Sequence, residues 1–194
     1  MTGKRLIVSA LLLALVQIAF LGWIIAGRAA ILRNGTEVLL KVEPVDPRDL
    51  LRGDYVFLSY EISRIPVKLI ANIPAGRALS RDETLVVRLK QDADGYWRPL
   101  AAWLEKASTP PAAGEVDIAG HIFPGWNFAT GPEATVSPDY GIERFYLPEG
   151  EGRQIEKDMR IRPFGIRAAI GKDGTAQIKA LVDGGTTLFE EPLY

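Results

Sequence analysis

The chain has 194 residues, no cysteine and a formal net charge of −1. The missing cysteine excludes disulfides, thiol nucleophiles and thiolate metal sites together. Residues 1–33 carry four bases and no acid, which leaves −5 for the remainder; a mildly acidic domain lacks the basic face that phosphates require, so no nucleic-acid partner is expected.

The length allows one domain of about 150 residues and one extra segment. From Leu6 to Ile25 the chain reads "LIVSALLLALVQIAFLGWII", with Ser9 and Gln17 as its clearly polar side chains. At about 1.5 Å per residue such a helix covers the roughly 30 Å hydrocarbon core of a bilayer. The competing reading is a cleaved signal peptide, for which Lys4 and Arg5 give a basic start and "AGRAA" gives small residues. A signal's apolar region runs about 7 to 15 residues, shorter than this one, so an uncleaved signal-anchor is expected. Bases flank both ends, Lys4 and Arg5 against Arg28 and Arg33, and the charge rule barely discriminates. A short basic tail before a long apolar run places the N-terminus in the cytoplasm, with residues 1–33 as tail and anchor and 34–194 as an extracytoplasmic domain. Asn34-Gly35-Thr36 fits a glycosylation acceptor, but Asn-Gly is also a favoured tight turn, and the turn is expected.

Past the anchor, "EPVDP" holds two prolines that fix φ and end a preceding strand. A short helical turn over 48–51 precedes "RGDYVFLSY", which contains Arg-Gly-Asp. An adhesion tripeptide needs an accessible loop tip, whereas aromatic and β-branched residues follow here without a break, so the stretch predicts a turn entering a strand. In that strand Val56, Leu58, Tyr60 and Ile62 share one face, and Tyr55, Phe57, Ser59 and Glu61 the other. "TLVVRLK", the turn "QDADG" and "YWRPLAAWL" predict a hairpin with Leu85, Val87 and Leu89 inward. "FGIRAAI", "GKDG" and "TAQIKALV" predict a second, with Ile178, Ala180 and Val182 alternating, and "TTLFEEPLY" a last strand after Gly184-Gly185. Residues 151–160 read as a charged surface helix. The fold class is mainly β, a sandwich or partly open barrel of antiparallel hairpins, with one N-terminal transmembrane helix.

Two blocks carry a resemblance. "EPVDPRDLLRGDYVFLSYEIS" resembles the motif of the GDYXXLXY family of bacterial membrane-anchored proteins, with Gly53, Asp54, Tyr55, Leu58 and Tyr60 in place. "YGIERFYLPEGEG", which holds Tyr140, Gly141, Glu149 and Gly150, is similar to that family's aromatic strand followed by Pro-Glu-Gly. The resemblance implies a single-pass envelope protein, in some cases found with multi-spanning membrane partners; it implies no particular chemistry.

The first block has two readings. In one, Gly53 and Asp54 make the turn, and Leu58 and Tyr60 enter the core. In the other, Asp46, Arg48, Asp49, Arg52 and Asp54 form a cluster of alternating charge beside Tyr55 that docks a partner. In the second block Tyr140, Glu143, Phe145 and Tyr146 are expected on a short strand ended by Pro148, with Glu149, Glu151 and Glu156 beyond it. Converging carboxylates serve as general acid and base in glycosidases, but solvated acids in a glycine-rich loop are far commoner. His121 alone makes no zinc site, and Trp126 reads as a core or loop anchor. No nucleotide loop, haem or flavin motif is present, and no cofactor is expected.

The enzymatic alternative is a membrane-anchored hydrolase, since "GDYV" is similar to the Gly-Asp-x-Val of signal-peptidase-type serine-lysine peptidases. These need a serine just outside the membrane and a lysine desolvated enough to act as base. No Ser-Met-x-Pro follows the anchor; the first serine past it is Ser59, and Lys68 has no evident nucleophile. The expectation is a binding or accessory protein of the inner membrane with a periplasmic domain, held by the lipid bilayer through residues 6–25 and partnered by a multi-spanning membrane protein.

Overall fold

The computed structural model describes residues 3–43, 55–73, 83–122, 134–146, 155, 158, 159 and 161–191. Helix α1, Gly3–Asn34, is apolar on all sides, with a mean hydropathy of 2.4 over an 18-residue window of which nothing is buried. By length and composition it is able to cross a membrane. It ends with no linker. The Gly35 amide donates to the Ile31 carbonyl at 2.8 Å, and the next residue begins a strand. A Cβ at Gly35 would lie 2.6 Å from the Ile31 oxygen and 2.9 Å from the Ile170 oxygen, so only glycine fits between helix and sheet. The Asn-Gly pair is therefore a helix-to-strand junction and not a two-residue hairpin turn.

Thirteen strands follow among the described residues: β1 Thr36–Glu43, β2 Tyr55–Phe57, β3 Ser59–Tyr60, β4 Ile65–Pro66, β5 Thr84–Gln91, β6 Trp97–Leu104, β7 Glu115–Ile122, β8 Thr135–Val136, β9 Pro138–Asp139, β10 Arg144–Tyr146, β11 Phe164–Ile170, β12 Ala176–Asp183 and β13 Thr186–Glu190. All strand pairs are antiparallel. They make a five-stranded sheet, β13-β12-β11-β1-β3, a four-stranded sheet, β6-β5-β7-β9, and two ribbons, β10-β2 and β4-β8. The fold is thus mainly β, and no closed barrel forms among the described residues. Both larger sheets feed one buried cluster: Leu40, Ile166 and Leu181 from the first, and Leu85, Leu89 and Ile118 from the second.

Both predicted hairpins form, β5–β6 and β11–β12, and β13 adds the last strand. Two local expectations change. The "DYVFLSYEI" stretch is not one strand: it pairs with β10 as far as Phe57, with β1 from Ser59, and then turns through a short 3-10 segment, Glu61–Ser63. Its predicted inner face nonetheless holds, since Val56, Leu58, Tyr60 and Ile62 are all buried. In β12 the register shifts between Arg167 and Ala168 of its partner, which leaves Lys179 unpaired. This bulge replaces the expected alternation with three successive buried residues, Ala180, Leu181 and Val182. The helical turn expected over 48–51 lies outside the described residues; within 151–160, Ile155, Asp158 and Met159 are helical.

The base of α1 belongs to the domain. Ala29 and Leu32 are buried where the helix meets β11 and β12. The turn between those strands comes up against it, since a Cβ at Gly171 would sit 3.3 Å from Ile31 Cγ1. In the other sheet Arg88 is buried, and its charge is fully met. Its Nε and Nη2 pair with both Asp117 oxygens at 2.7 and 2.8 Å, its Nη1 and Nη2 donate to Thr109, and its guanidinium stacks 4.8 Å from the Trp103 ring centre.

Candidate functional site

The two sequence blocks meet in space through a pair of tyrosines. Tyr60 ends β3 on the inner face, and its hydroxyl donates to the Ile142 carbonyl. Tyr140 lies between β9 and β10, and its hydroxyl donates to the Ile62 carbonyl at 2.9 Å. Each ring thus reaches the backbone two residues beyond the other, and the Leu58 amide adds a third tie by donating to the Glu143 carbonyl at 2.8 Å. Both tyrosines are buried. Burial, with a smaller contribution from the nearby Glu143, pushes both hydroxyls well above their ordinary range, so they remain protonated donors.

Room for the second ring comes from a glycine. A Cβ at Gly120 would stand 2.8 Å from Tyr140 Cδ1 and 2.9 Å from Pro138 Cβ. Residues 140–143 form a turn, in which Gly141 adopts a φ of 76°, and not the strand expected from the sequence; β10 begins at Arg144.

That turn carries a carboxyl pair. Glu143 Oε1 accepts the Tyr140 amide at 2.7 Å, Asp139 Oδ1 accepts the Gly141 amide at 2.8 Å, and the two side chains are hydrogen-bonded to each other. Burial first, and then the bond to Asp139, pushes the Glu143 carboxyl up to about 7. Asp139 is held below the usual carboxylate range, first by the Glu143 hydrogen bond, then by the Gly141 amide, Arg144 and His121. His121 is the cross-strand partner of Asp139 and is exposed. Below neutrality the pair holds one proton, and its geometry is that of a clasp on the turn: both carboxyls accept backbone amides of their own loop.

The outer face of the β10-β2 ribbon is different in kind. Arg144 lies opposite Phe57, Phe145 opposite Val56, and Tyr146 opposite Tyr55. Val56 and Phe145 point into the core, while Phe57 (46% exposed), Arg144 and Tyr146 (66% exposed) face outward. The Arg144 guanidinium sits 5.5 Å from the Phe57 ring centre. Exposed aromatics beside an arginine, on a ribbon whose other face is buried, match the residue types enriched at protein interfaces.

Of the residues singled out in the sequence, Leu58, Tyr60, Tyr140 and Gly141 fall at this junction. Asp46, Arg48, Asp49, Arg52, Gly53, Asp54, Trp126, Glu149, Gly150 and Glu151 lie outside the described residues, and Tyr55 is described in its backbone alone. Sequence reasoning missed Asp139, Gly120 and Arg144. The clue to Gly120 was a glycine inside an alternating run, which marks close approach of another group. Lys68 is exposed, not desolvated as a catalytic lysine must be.

A family model described as GDYXXLXY protein matches residues 17–181, and the chain belongs to that family. No curated protein and no solved structure matches it.

Proposed function

We propose that this GDYXXLXY protein is a single-pass, membrane-anchored binding or accessory protein of the bacterial envelope. Its N-terminus is cytoplasmic, and its β domain stands in the periplasm and docks a multi-spanning membrane partner. The outward face of the β10-β2 ribbon makes the contact, together with the charged approach to it, Asp46, Arg48, Asp49, Arg52, Asp54 and Tyr55. The observation that carries this reading is the exposed Phe57–Arg144–Tyr146 surface, on a ribbon whose other face, Val56 and Phe145, is buried in the core. An uncleaved anchor is supported by the burial of Ala29 against the domain, because cleavage near Ala30 would remove that contact and the helix that positions Leu32.

The test is paired measurement of stability and partner capture. Phe57→Ala and Tyr146→Ala leave the melting temperature nearly unchanged, since neither ring is core. Each reduces capture of the co-purifying membrane partner by about tenfold or more, the scale of a truncated aromatic anchor. Stoichiometric capture by both variants would overturn the docking face.

A further inference from the structure

The base of the domain carries a second surface, built from two parts of the chain far apart in sequence. We infer that the end of α1 and the β11–β12 turn together form a collar that binds the phosphate groups of anionic lipids, with Arg28 and Lys172 as its bases. The inference rests on the reading of α1 as a membrane span. With Leu6 to Ile25 in the hydrocarbon, Arg28 lies about 4.5 Å beyond the last apolar residue and Ile31 about 9 Å, at 1.5 Å rise per residue. The headgroup layer occupies the first roughly 5 to 7 Å on each side. Trp23, fully on the helix surface at 73% exposure, falls at the boundary where indole rings settle.

Lys172 reaches that depth through folding alone. Its neighbour Gly171 abuts Ile31, so the turn stands level with the last helical turns, and a flexible four-carbon stem extends from there into the phosphate layer. Arg28 and Lys172 are exposed, and neither forms an ion pair among the described residues. Of the acids near the collar, Asp173 keeps its charge but turns it to the Thr175 amide and hydroxyl, at 3.1 and 2.9 Å, and not to Lys172, and Glu37 is neutralised by Lys179 of β12. The rest of the domain is net acidic, so an anionic bilayer attracts this base and repels the remaining surface, which holds the domain upright.

The experiment uses the full chain in nanodiscs of mixed phosphatidylcholine and phosphatidylglycerol, with the lipids retained on detergent release counted by native mass spectrometry. Wild type retains phosphatidylglycerol in preference to phosphatidylcholine. Lys172→Gln lowers that preference by about fivefold, the effect of one base near an anionic surface, with the melting temperature unchanged, and Lys172→Arg restores it. Three results overturn the collar: an inserted wild-type chain without lipid preference, a preference indifferent to Lys172→Gln, or a preference abolished by millimolar inorganic phosphate, which would mark a free-anion site. A chain that alkaline carbonate strips from the bilayer has no spanning helix, and that outcome ends the spanning reading and the collar with it.

Discussion

Two hydroxyl groups tie the sequence blocks together, each by a bond to a backbone carbonyl of the other block. Tyr60→Phe or Tyr140→Phe keeps the ring but strands a buried carbonyl, at a cost of about 1–3 kcal/mol each. The two bonds close one structure, so denaturant titration of the double variant shows a loss smaller than the sum. Glu143 gives the same junction a pH response. Its carboxyl is pushed from the ordinary 4.5 up to about 7, so its protonated form is favoured by the folded state. That contribution is fully present below about pH 4.5 and is lost as pH rises through 7. Asp139, held low, acts at the opposite end and contributes above its ordinary range, with loss only in acid. Melting temperature therefore falls as pH is raised from 5 to 8. Glu143→Gln imitates the protonated acid, with its amide donating to Asp139 and its oxygen accepting from Tyr140, so its profile is flat across that window and lies above wild type at pH 8. A wild-type profile that rises from pH 5 to 8 would contradict the assignment.

Among the elements, the hairpins were the most legible, because alternation such as Leu85, Val87, Leu89 and turns such as "QDADG" are local facts. Alternation even survived where the strand did not: Val56 to Ile62 changes partners at Leu58, yet a side chain's face depends on the pleat and not on the neighbour it pairs with. It failed at Lys179, where one unpaired residue resets the period and leaves no mark in composition. Strands β1 and β7 went unread although Val38, Leu40 and Val42, and Val116 and Ile118, alternate; in β7 the pattern thins at Ala119-Gly120, where the Gly174 turn crowds Ala119 on one face and the Tyr140 ring crowds Gly120 on the other. The carboxyl pair was illegible for a related reason, since Asp139 and Glu143 meet through an irregular turn that no helix or strand spacing describes. The buried Arg88 gives a sharp test of the β5–β7 pairing. Asp117→Ala removes both close charge-assisted bonds and leaves the buried cation only Glu115, 3.8 Å from its Nε, at a cost of up to about 3–5 kcal/mol, whereas replacing both residues by apolar ones of similar volume costs far less.

At the scale of the whole molecule, a long apolar helix continues directly into a β domain. The soluble fragment 34–194 is expected to keep its β fold, with a circular dichroism spectrum dominated by β structure and a melting temperature lowered by loss of the Ala29 and Leu32 contacts; a helical spectrum would refute that. Protease added to intact spheroplasts is expected to digest from about Asn34 onward and leave the start of the chain in the membrane, and protection of the domain would reverse the orientation. The missing linker at Gly35 makes helix and domain one rotor. With α1 spanning the bilayer as proposed, a turn of α1 about its axis is a turn of the β10-β2 face, so the compass bearing of that face is set by helical phase. Two alanines inserted after Gly27 leave the Ala29–Leu32 seat intact but swing the domain by about 200°, away from a partner that also grips the helix. Seven inserted residues bring it back to within about 20° of the original bearing. Capture of the partner is expected to vanish with two and return with seven, a periodicity that a flexible tether would not produce.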